Sequence, residues 1–337
     1  MNDRAKALTV AVTGPTGTFG FGLVPLLEAD ERVERVVGIA RRAFDPAEHG
    51  WSKLEYRRGD VRDRDALEAA FAGADVVVHL AFMITGNAGR ATIRAINVDG
   101  TLNAFRAAAA AGATRFVYAS SVAAYGVHAD NPYRLTEDWP VRPAAHLFYA
   151  QEKAEIEHLL AAEAEQHPQL GLYVLRPPVV LGPHAVGAKD LLPGPIAPLA
   201  RGLTALVRRL PVPVPVAVPD LPLQFVDEED VGQALLLSVT GAGPPGAYNL
   251  AGDGVLSVHG VARELGLLPL PVPRRAVQAG ARALAGLPFA PPFAEWAEAI
   301  TRHSIMDTTK ARRELGWKPR YTGLEALRRT LENDDGP

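Results

Sequence analysis

Short apolar runs alternate with helix-patterned stretches through the first half of this chain. Residues 7–12, Ala-Leu-Thr-Val-Ala-Val, predict a strand, and residues 33–40, 54–57 and 74–80 predict three more. Residues 21–27 and 66–72 read as helices between them. A long Ala-rich helix is expected over residues 91–111, stopped by Gly112. Residues 115–120 form the fifth expected strand, 147–166 a helix closed by His167-Pro168, and 172–176 the sixth strand. Strands and helices alternating over short connections predict an α/β fold, a doubly wound parallel sheet covered on both faces.

Beyond Pro177 the pattern changes. Proline crowds residues 177–222, and Pro211-Val212-Pro213-Val214-Pro215-Val216 excludes a regular helix. That run reads as a stiff extended connector, or as the apolar wall of a pocket. A helix is expected again over 227–240, a short strand over 246–251 and two helices within 295–330.

With 337 residues the chain can bury a large core, in one large domain or two closely joined ones. A formal charge of −3 gives no reason to expect nucleic acid or an anionic membrane surface as partner. The absence of cysteine excludes disulfides, a thiolate nucleophile and cysteine-ligated metal, and no metal site is expected. No apolar stretch reaches the roughly 20 residues of a membrane span. Residues 1–6 lead into the first strand without a signal-peptide core. The expectation is a soluble, cytoplasmic protein acting on a small molecule.

Two places carry candidate chemistry. Thr13-Gly14-Pro15-Thr16-Gly17-Thr18-Phe19-Gly20 follows the first strand and opens the first helix, the order a dinucleotide pyrophosphate requires. Glycines permit the tight turn and close backbone approach, while helix N–H groups and the positive dipole end face the phosphates. Further along, Tyr149-Ala150-Gln151-Glu152-Lys153 sets a phenol and an ammonium four residues apart on one helix face. A cation beside a phenol favours phenolate and lowers its pKa toward a value useful for proton transfer. The same spacing also describes an ordinary surface pair. Location favours chemistry: the pair opens the helix after the fifth strand, whose end, Ser120-Ser121, lies at the carboxyl edge of the sheet. Ser121 is then placed to hydrogen-bond the oxygen that Tyr149 protonates.

These segments, in this order, make the chain resemble the extended short-chain dehydrogenase/reductases. That group includes nucleotide-sugar epimerases and dehydratases, hydroxysteroid dehydrogenases and dihydroflavonol-type reductases. The matching pieces begin with the Gly14/Gly17/Gly20 loop, Gly59-Asp60-Val61, Val78-His79-Leu80-Ala81 and Asn97-Val98-Asp99-Gly100-Thr101. They continue with Ser121 to Tyr125-Gly126, Tyr149 and Lys153, Leu175-Arg176-Pro177, and Phe225-Val226-Asp227 with Asp230-Val231. Asp307-Thr308-Thr309-Lys310-Ala311 and Glu314-Leu315-Gly316-Trp317 close the series.

The resemblance implies an NAD(P)-binding Rossmann domain over residues 1–177 and a smaller, mostly substrate-binding region over 178–337. Segments around 224–251 would return to pack on the first domain. Tyr149 would be the general acid/base, Lys153 its pKa-lowering partner and ribose ligand, and Ser121 the group that polarises the substrate oxygen. Gly14, Gly17 and Gly20 would surround the pyrophosphate, Asp60 and Val61 sit against the adenine, and Ala81 lie over the phosphates. Pro177 would touch the nicotinamide through its backbone, and Thr16, Thr18, Phe19, Leu80 and Val179 complete the cofactor-binding set. Asn97 is either a cofactor neighbour or a capping and packing residue. Asp60 could alternatively cap the helix near Arg64, and His79 reads as a contact at the strand end.

Two departures from the family pattern carry information. Where NAD-selective relatives place an acid at the end of the second strand, this chain has Ala40 followed by Arg41 and Arg42. Guanidinium groups suit a 2′-phosphate, so NADP(H) is favoured as cofactor, with NAD(H) the alternative and solvated arginines the plain reading. Nucleotide-sugar members carry an Arg two residues before the Phe225-Val226-Asp227 segment, where this chain has Leu223. A leucine cannot offset the desolvation of a diphosphate. With Phe82-Met83-Ile84 and the Leu/Pro/Val-rich stretch over 191–219, this points to an oxidoreductase moving hydride to or from a mostly apolar carbonyl or secondary alcohol. Epimerisation or dehydration with retained cofactor is the alternative, and a silent nucleotide sensor fits less well because Tyr149 and Lys153 are both present. The resemblance also implies a homodimer, in which helices near 95–111 and 149–166 pair across a two-fold axis. Ala104, Ala107, Ala108 and Ala111 are expected to allow that close approach.

Overall fold

The computed structural model describes residues 7–84, 89–145, 147–185, 213–273 and 304–333. β1 (Leu8–Thr13) leads through the glycine loop into α1 (Thr18–Ala29), then come β2 (Val33–Ala40), β3 (Leu54–Arg58), α2 (Arg64–Phe71) and β4 (Val76–His79). α3 (Arg90–Arg94) passes through a π-helical stretch, Ala95–Asp99, into α4 (Gly100–Ala110). β5 (Arg115–Ala119) ends at a 3-10 turn, Val122–Tyr125, and α5 (Phe148–Gln166) leads to β6 (Gly171–Arg176). Then follow β7 (Val179–Leu181), β8 (Val214–Val218), β9 (Pro222–Leu223), β10 (Phe225–Asp227), α6 (Glu228–Val239) and β11 (Gly246–Asn249). β12 (Leu256–Ser257), α7 (Val258–Glu264), β13 (Leu267–Pro271), a π-helical turn, Ala311–Leu315, and α8 (Gly323–Asn333) complete the described elements.

Seven strands make one parallel sheet in the order β11-β6-β5-β4-β1-β2-β3. The doubly wound α/β expectation is met. Period-two alternation sorts its side chains into two layers. Val10, Val12, Val36, Val76 and Val78 enter one core with Leu23, Leu27, Val231 and Leu235 of α1 and α6. Ala11, Val37, Val77 and Phe116 enter the other with Phe71 of α2 and Phe105 of α4. α1 and α6 cross at backbone contact, since a Cβ on Gly22 would lie 2.2 Å from the Glu228 carbonyl oxygen and one on Gly232 2.0 Å from that of Gly22. The chain order reverses between β1 and β4, which opens a crevice at their carboxyl ends.

The tail is tied back to this frame by polar contacts. Trp317, fully buried, donates its ring N–H to the Asp230 carbonyl at 2.8 Å, and the Asp230 carboxylate accepts from the backbone N–H of Arg320 and Tyr321. Burial pushes the Asp230 carboxyl up to about 6, against the pull of those two N–H groups.

Several expectations are corrected. The proline run is no mere connector: Val214 to Val218 pairs in parallel with Leu267 to Pro271, because alternate residues of an extended segment keep free carbonyls and amides. Residues 191–212 and 295–303, expected above as pocket wall and helix, lie outside the described residues. The long helix over 91–111 is not uniform but widens at Ala95–Asp99. Ala104, Ala107 and Ala108 are fully buried within this chain's own core, so they offer no surface to a second copy. Among the described residues no helix is long and apolar enough to cross a membrane.

Candidate active site

The crevice begins with the glycine loop. Gly14 has φ of +69°, and a Cβ there would lie 2.9 Å from the Ala81 amide nitrogen, so the loop and the end of β4 meet at backbone contact. A Cβ on Gly20 would lie 2.1 Å from the Pro15 carbonyl oxygen. Gly17 is exposed and caps α1 without any side-chain hydrogen bond, and a Cβ there would meet only the Gly14 oxygen, at 3.6 Å. The first N–H groups of α1 therefore face an open cradle, one that a side chain at Gly17 would fill. Thr16, Thr18 and Phe19 border it, each half-buried. A pyrophosphate fits this cradle by shape and by charge.

Thr13 and His79 hold the floor of the crevice. Thr13 Oγ1 accepts from the backbone N–H groups of Leu80 and Ala81 at 3.2 Å and bonds His79 Nδ1 at 2.9 Å. His79 Nε2 bonds Thr101 Oγ1 at 3.0 Å, and Thr101 donates to the Asn97 carbonyl at 2.5 Å. That chain is satisfied by a neutral ring protonated on Nε2. Burial and the nearby Lys153 hold the imidazole down at about 3, so His79 stays neutral at working pH. It is a structural strut.

At the far end of the crevice, the turn after β2 is pinned from two sides. Tyr56 donates its hydroxyl to the Arg42 carbonyl at 2.5 Å, and Arg58 Nε donates to the Arg41 carbonyl at 3.0 Å. The Arg41 and Arg42 side chains remain exposed. Asp60 pairs with the Arg62 guanidinium, and that pair, with Arg41 more weakly, holds its carboxyl below the usual range. Asp60 is therefore not the cap of α2. Asp63 is, accepting from the Ala66 amide at 3.1 Å. Val61 is buried against Gly100.

The reacting groups gather at the carboxyl edge of β5. Ser121 is buried, accepts from the Ala123 amide at 3.2 Å, and hydrogen-bonds the Tyr149 hydroxyl. Burial pushes the Tyr149 phenol above its ordinary value, and the Ser121 hydrogen bond offsets part of that. Lys153 is 2% exposed; its Nζ donates to the Ala119 carbonyl at 2.7 Å and to the Tyr118 hydroxyl at 3.2 Å. Burial pushes its amine down to about 7, while Glu157 and Glu152 pull the other way. The expectation that Lys153 lowers the Tyr149 pKa is corrected here. The ammonium spends its hydrogen bonds on Ala119 and Tyr118, lies 5.9 Å from the Tyr149 ring centre, and desolvation governs the phenol. The Pro177 carbonyl accepts from the Val122 amide at 2.9 Å, which ties the end of β6 to the Ser121 turn, and Val179 follows, half-exposed.

Sequence reasoning named Asn97 as a cofactor neighbour or packing residue and Phe82 as a pocket wall, but gave no role to Glu152 or Glu157. Asn97 clamps the chain at Met83, its Oδ1 accepting from the Met83 amide at 2.7 Å and its Nδ2 donating to the Met83 carbonyl at 3.0 Å. Its Nδ2 also donates at 2.7 Å to buried Glu152, whose other oxygen has no hydrogen-bond partner. Phe82 covers Lys153, with Nζ 3.8 Å from its ring centre. Glu157, one turn past Lys153, anchors a buried network through Arg176 to Tyr125 and Asn249. Only the four-residue spacing from Lys153 to Glu157 was a usable signal.

Comparison with known proteins identifies the family and the fold. Residues 10–251 match the NAD dependent epimerase/dehydratase family. The uncharacterised protein Rv0501 of Mycobacterium tuberculosis (strain ATCC 25618 / H37Rv) is 27% identical over 330 residues, spanning 94% of this chain and 82% of its own. Sterol demethylase protein B of Methylococcus capsulatus (strain ATCC 33009 / NCIMB 11132 / Bath) is 34% identical over 179 residues, 52% of each chain. The solved UDP-glucose 4-epimerase of Thermotoga maritima, with UDP-glucose, has the same fold at a TM-score of 0.73 and 21% identity, over 97% of this chain and 98% of that one. This chain belongs to the NAD dependent epimerase/dehydratase family.

Proposed function

We propose that this protein is an NADP(H)-dependent oxidoreductase that interconverts a carbonyl and a secondary alcohol on a mostly apolar substrate. The observation that carries the reading is the meeting of the Ser121 and Tyr149 hydroxyls at the carboxyl edge of the sheet, beside the open cradle at Gly17. Gly14, Gly17, Gly20 and the first N–H groups of α1 would hold the pyrophosphate, and Arg41 and Arg42 the 2′-phosphate. When bound, the nicotinamide supplies or accepts the hydride.

The chain's own residues handle the proton. A phenol held above its ordinary pKa keeps its proton at neutral pH, so Tyr149 is set to donate to a developing alkoxide. Ser121 fixes the direction of that hydroxyl and offers a second hydrogen bond to the same oxygen. For NADP, the support is Ala40 in place of an acid, with the backbone of Arg41 and Arg42 pinned so that both guanidiniums project from one turn.

For an apolar substrate, the support is Leu223 where a diphosphate-binding member carries Arg. It packs with Leu181, Phe225 and Leu327. The relative named for sterol demethylation acts, by that name, on a molecule of the same apolar class. The test is a panel of apolar ketones, aldehydes and secondary alcohols with NADPH and with NADH, followed by nicotinamide absorbance. Net oxidation of NADPH, faster than of NADH, is the expected result. Turnover of a nucleotide sugar without net cofactor change would replace this reading with the epimerase one.

A further inference from the structure

Phe82 directly follows Leu80-Ala81 at the end of β4. Its ring face lies 3.8 Å from Lys153 Nζ, and the ring meets Tyr149 edge-on, with 5.5 Å between centres at 83°. An ammonium has three N–H directions. On Lys153 two are spent on Ala119 and Tyr118, and the Phe82 face covers the remaining approach, held there by the attraction of a cation to an aromatic quadrupole. The backbone on either side is fastened. Ala81 N–H donates to Thr13 at 3.2 Å, and both Met83 backbone groups are taken by Asn97. The Phe82 side chain itself, half-buried against the second core, is held by packing and not by any hydrogen bond.

We propose that Phe82 is an aromatic stopper over the Lys153 ammonium, a positioning residue whose ring must swing aside before any ligand hydroxyl can bond that amine. The ligand class is a hydroxyl-rich group such as the ribose of a nucleotide, which offers an acceptor for the freed N–H. Its identity rests on the dinucleotide reading above; the contact itself does not. Because the ring edge also rests on Tyr149, one rotation uncovers both groups together. The charged and titratable groups around the amine are Glu152, Glu157, His79, Tyr118 and Tyr149; the rings of Tyr118 and Tyr149 have their centres 4.8 and 5.9 Å from Nζ, both farther than that of Phe82 at 3.8 Å.

Two measurements test this on Phe82→Ala and Phe82→Leu, the second keeping apolar volume without an aromatic face. First, in ligand-free protein, the rate of Lys153 labelling by trinitrobenzenesulfonate is followed by mass spectrometry across pH. The plateau rate rises severalfold in Phe82→Ala and the midpoint moves to higher pH, because water reaches the amine. An unchanged profile overturns the stopper. Second, calorimetry gives the affinity for NADP(H). Removing the contact that a ligand must displace tightens binding about tenfold in Phe82→Ala, and by less in Phe82→Leu. Equal or weaker binding in a variant that melts like the wild type overturns the proposal. If no dinucleotide binds any of the three proteins, the cofactor reading fails, while the labelling profile still decides whether Phe82 covers Lys153.

Discussion

Glu157 and Arg176 form a two-point ion pair in the interior, with Arg176 Nε 3.1 Å from both carboxylate oxygens and Nη2 2.5 Å from Oε2. The side chains are 6% and 7% exposed. The pair joins the helix that carries Tyr149 and Lys153 to the strand that runs into Pro177. Ser120 donates to the same carboxylate, and Arg176 Nη1 donates to the Tyr125 hydroxyl at 2.6 Å, which donates in turn to Asn249 at 2.8 Å. Ser120, next to Ser121, is thereby tied to α5 through Glu157 and to β6 through its own N–H, which donates to the Leu175 carbonyl at 2.8 Å.

Breaking one side of that pair leaves a buried charge without its partner. Glu157→Gln or Arg176→Met should cost about 3–5 kcal/mol in urea denaturation. Replacing both with apolar residues of similar volume should cost much less than the sum of the single changes. Near-equal stability of wild type and both single variants would show that the charges are better hydrated than the geometry indicates.

Tyr149→Phe removes the proton carrier and keeps the ring. Turnover at saturating cofactor should fall by about 10²–10⁴-fold, while dinucleotide affinity changes little. An unaltered rate would remove Tyr149 from the chemistry.

Arg41→Ala should weaken NADPH binding by about tenfold, the scale of one partly exposed charge-assisted hydrogen bond. NADH binding should hardly move. Equal weakening of both cofactors would assign Arg41 to general steering.

Lys153 gives a pH signature of stability. Its folded pKa is depressed from 10.5 to about 7. Between those values the unfolded chain holds a proton that the folded chain has released. Stability must therefore rise with pH across that window, and below it the folded state carries the full cost of a buried charge. In Lys153→Met this contribution disappears. The stability difference between wild type and variant, measured by urea denaturation from near-neutral to alkaline pH, should shift in favour of wild type as pH rises. A constant difference would mean that the amine is hydrated.

Residues 33–40 were readable as a strand, and the structure forms β2 over the same residues, because the apolar run Val36-Val37-Gly38-Ile39, buried throughout, is enough where both faces of a strand are covered. The Gly14–Gly20 loop, Ser121 and the Tyr149–Lys153 pair were readable too, since strand-end position and helical spacing are properties of the local chain. The tertiary structure alone decided the rest. Ala104 and Ala108 are small residues that the sequence allows in either a dimer seam or a core, and packing under α2 and α5 put them in the core. Residues 214–218 and 267–271 pair across some fifty positions, a choice made by where the chain returns. Lys153 carries its charge by sequence, and Glu152 and Glu157 lie beside it on the same helix, but the desolvation that outweighs their pull comes from tertiary packing, because an electrostatic energy depends on every group that packs around the atom and on the water they exclude.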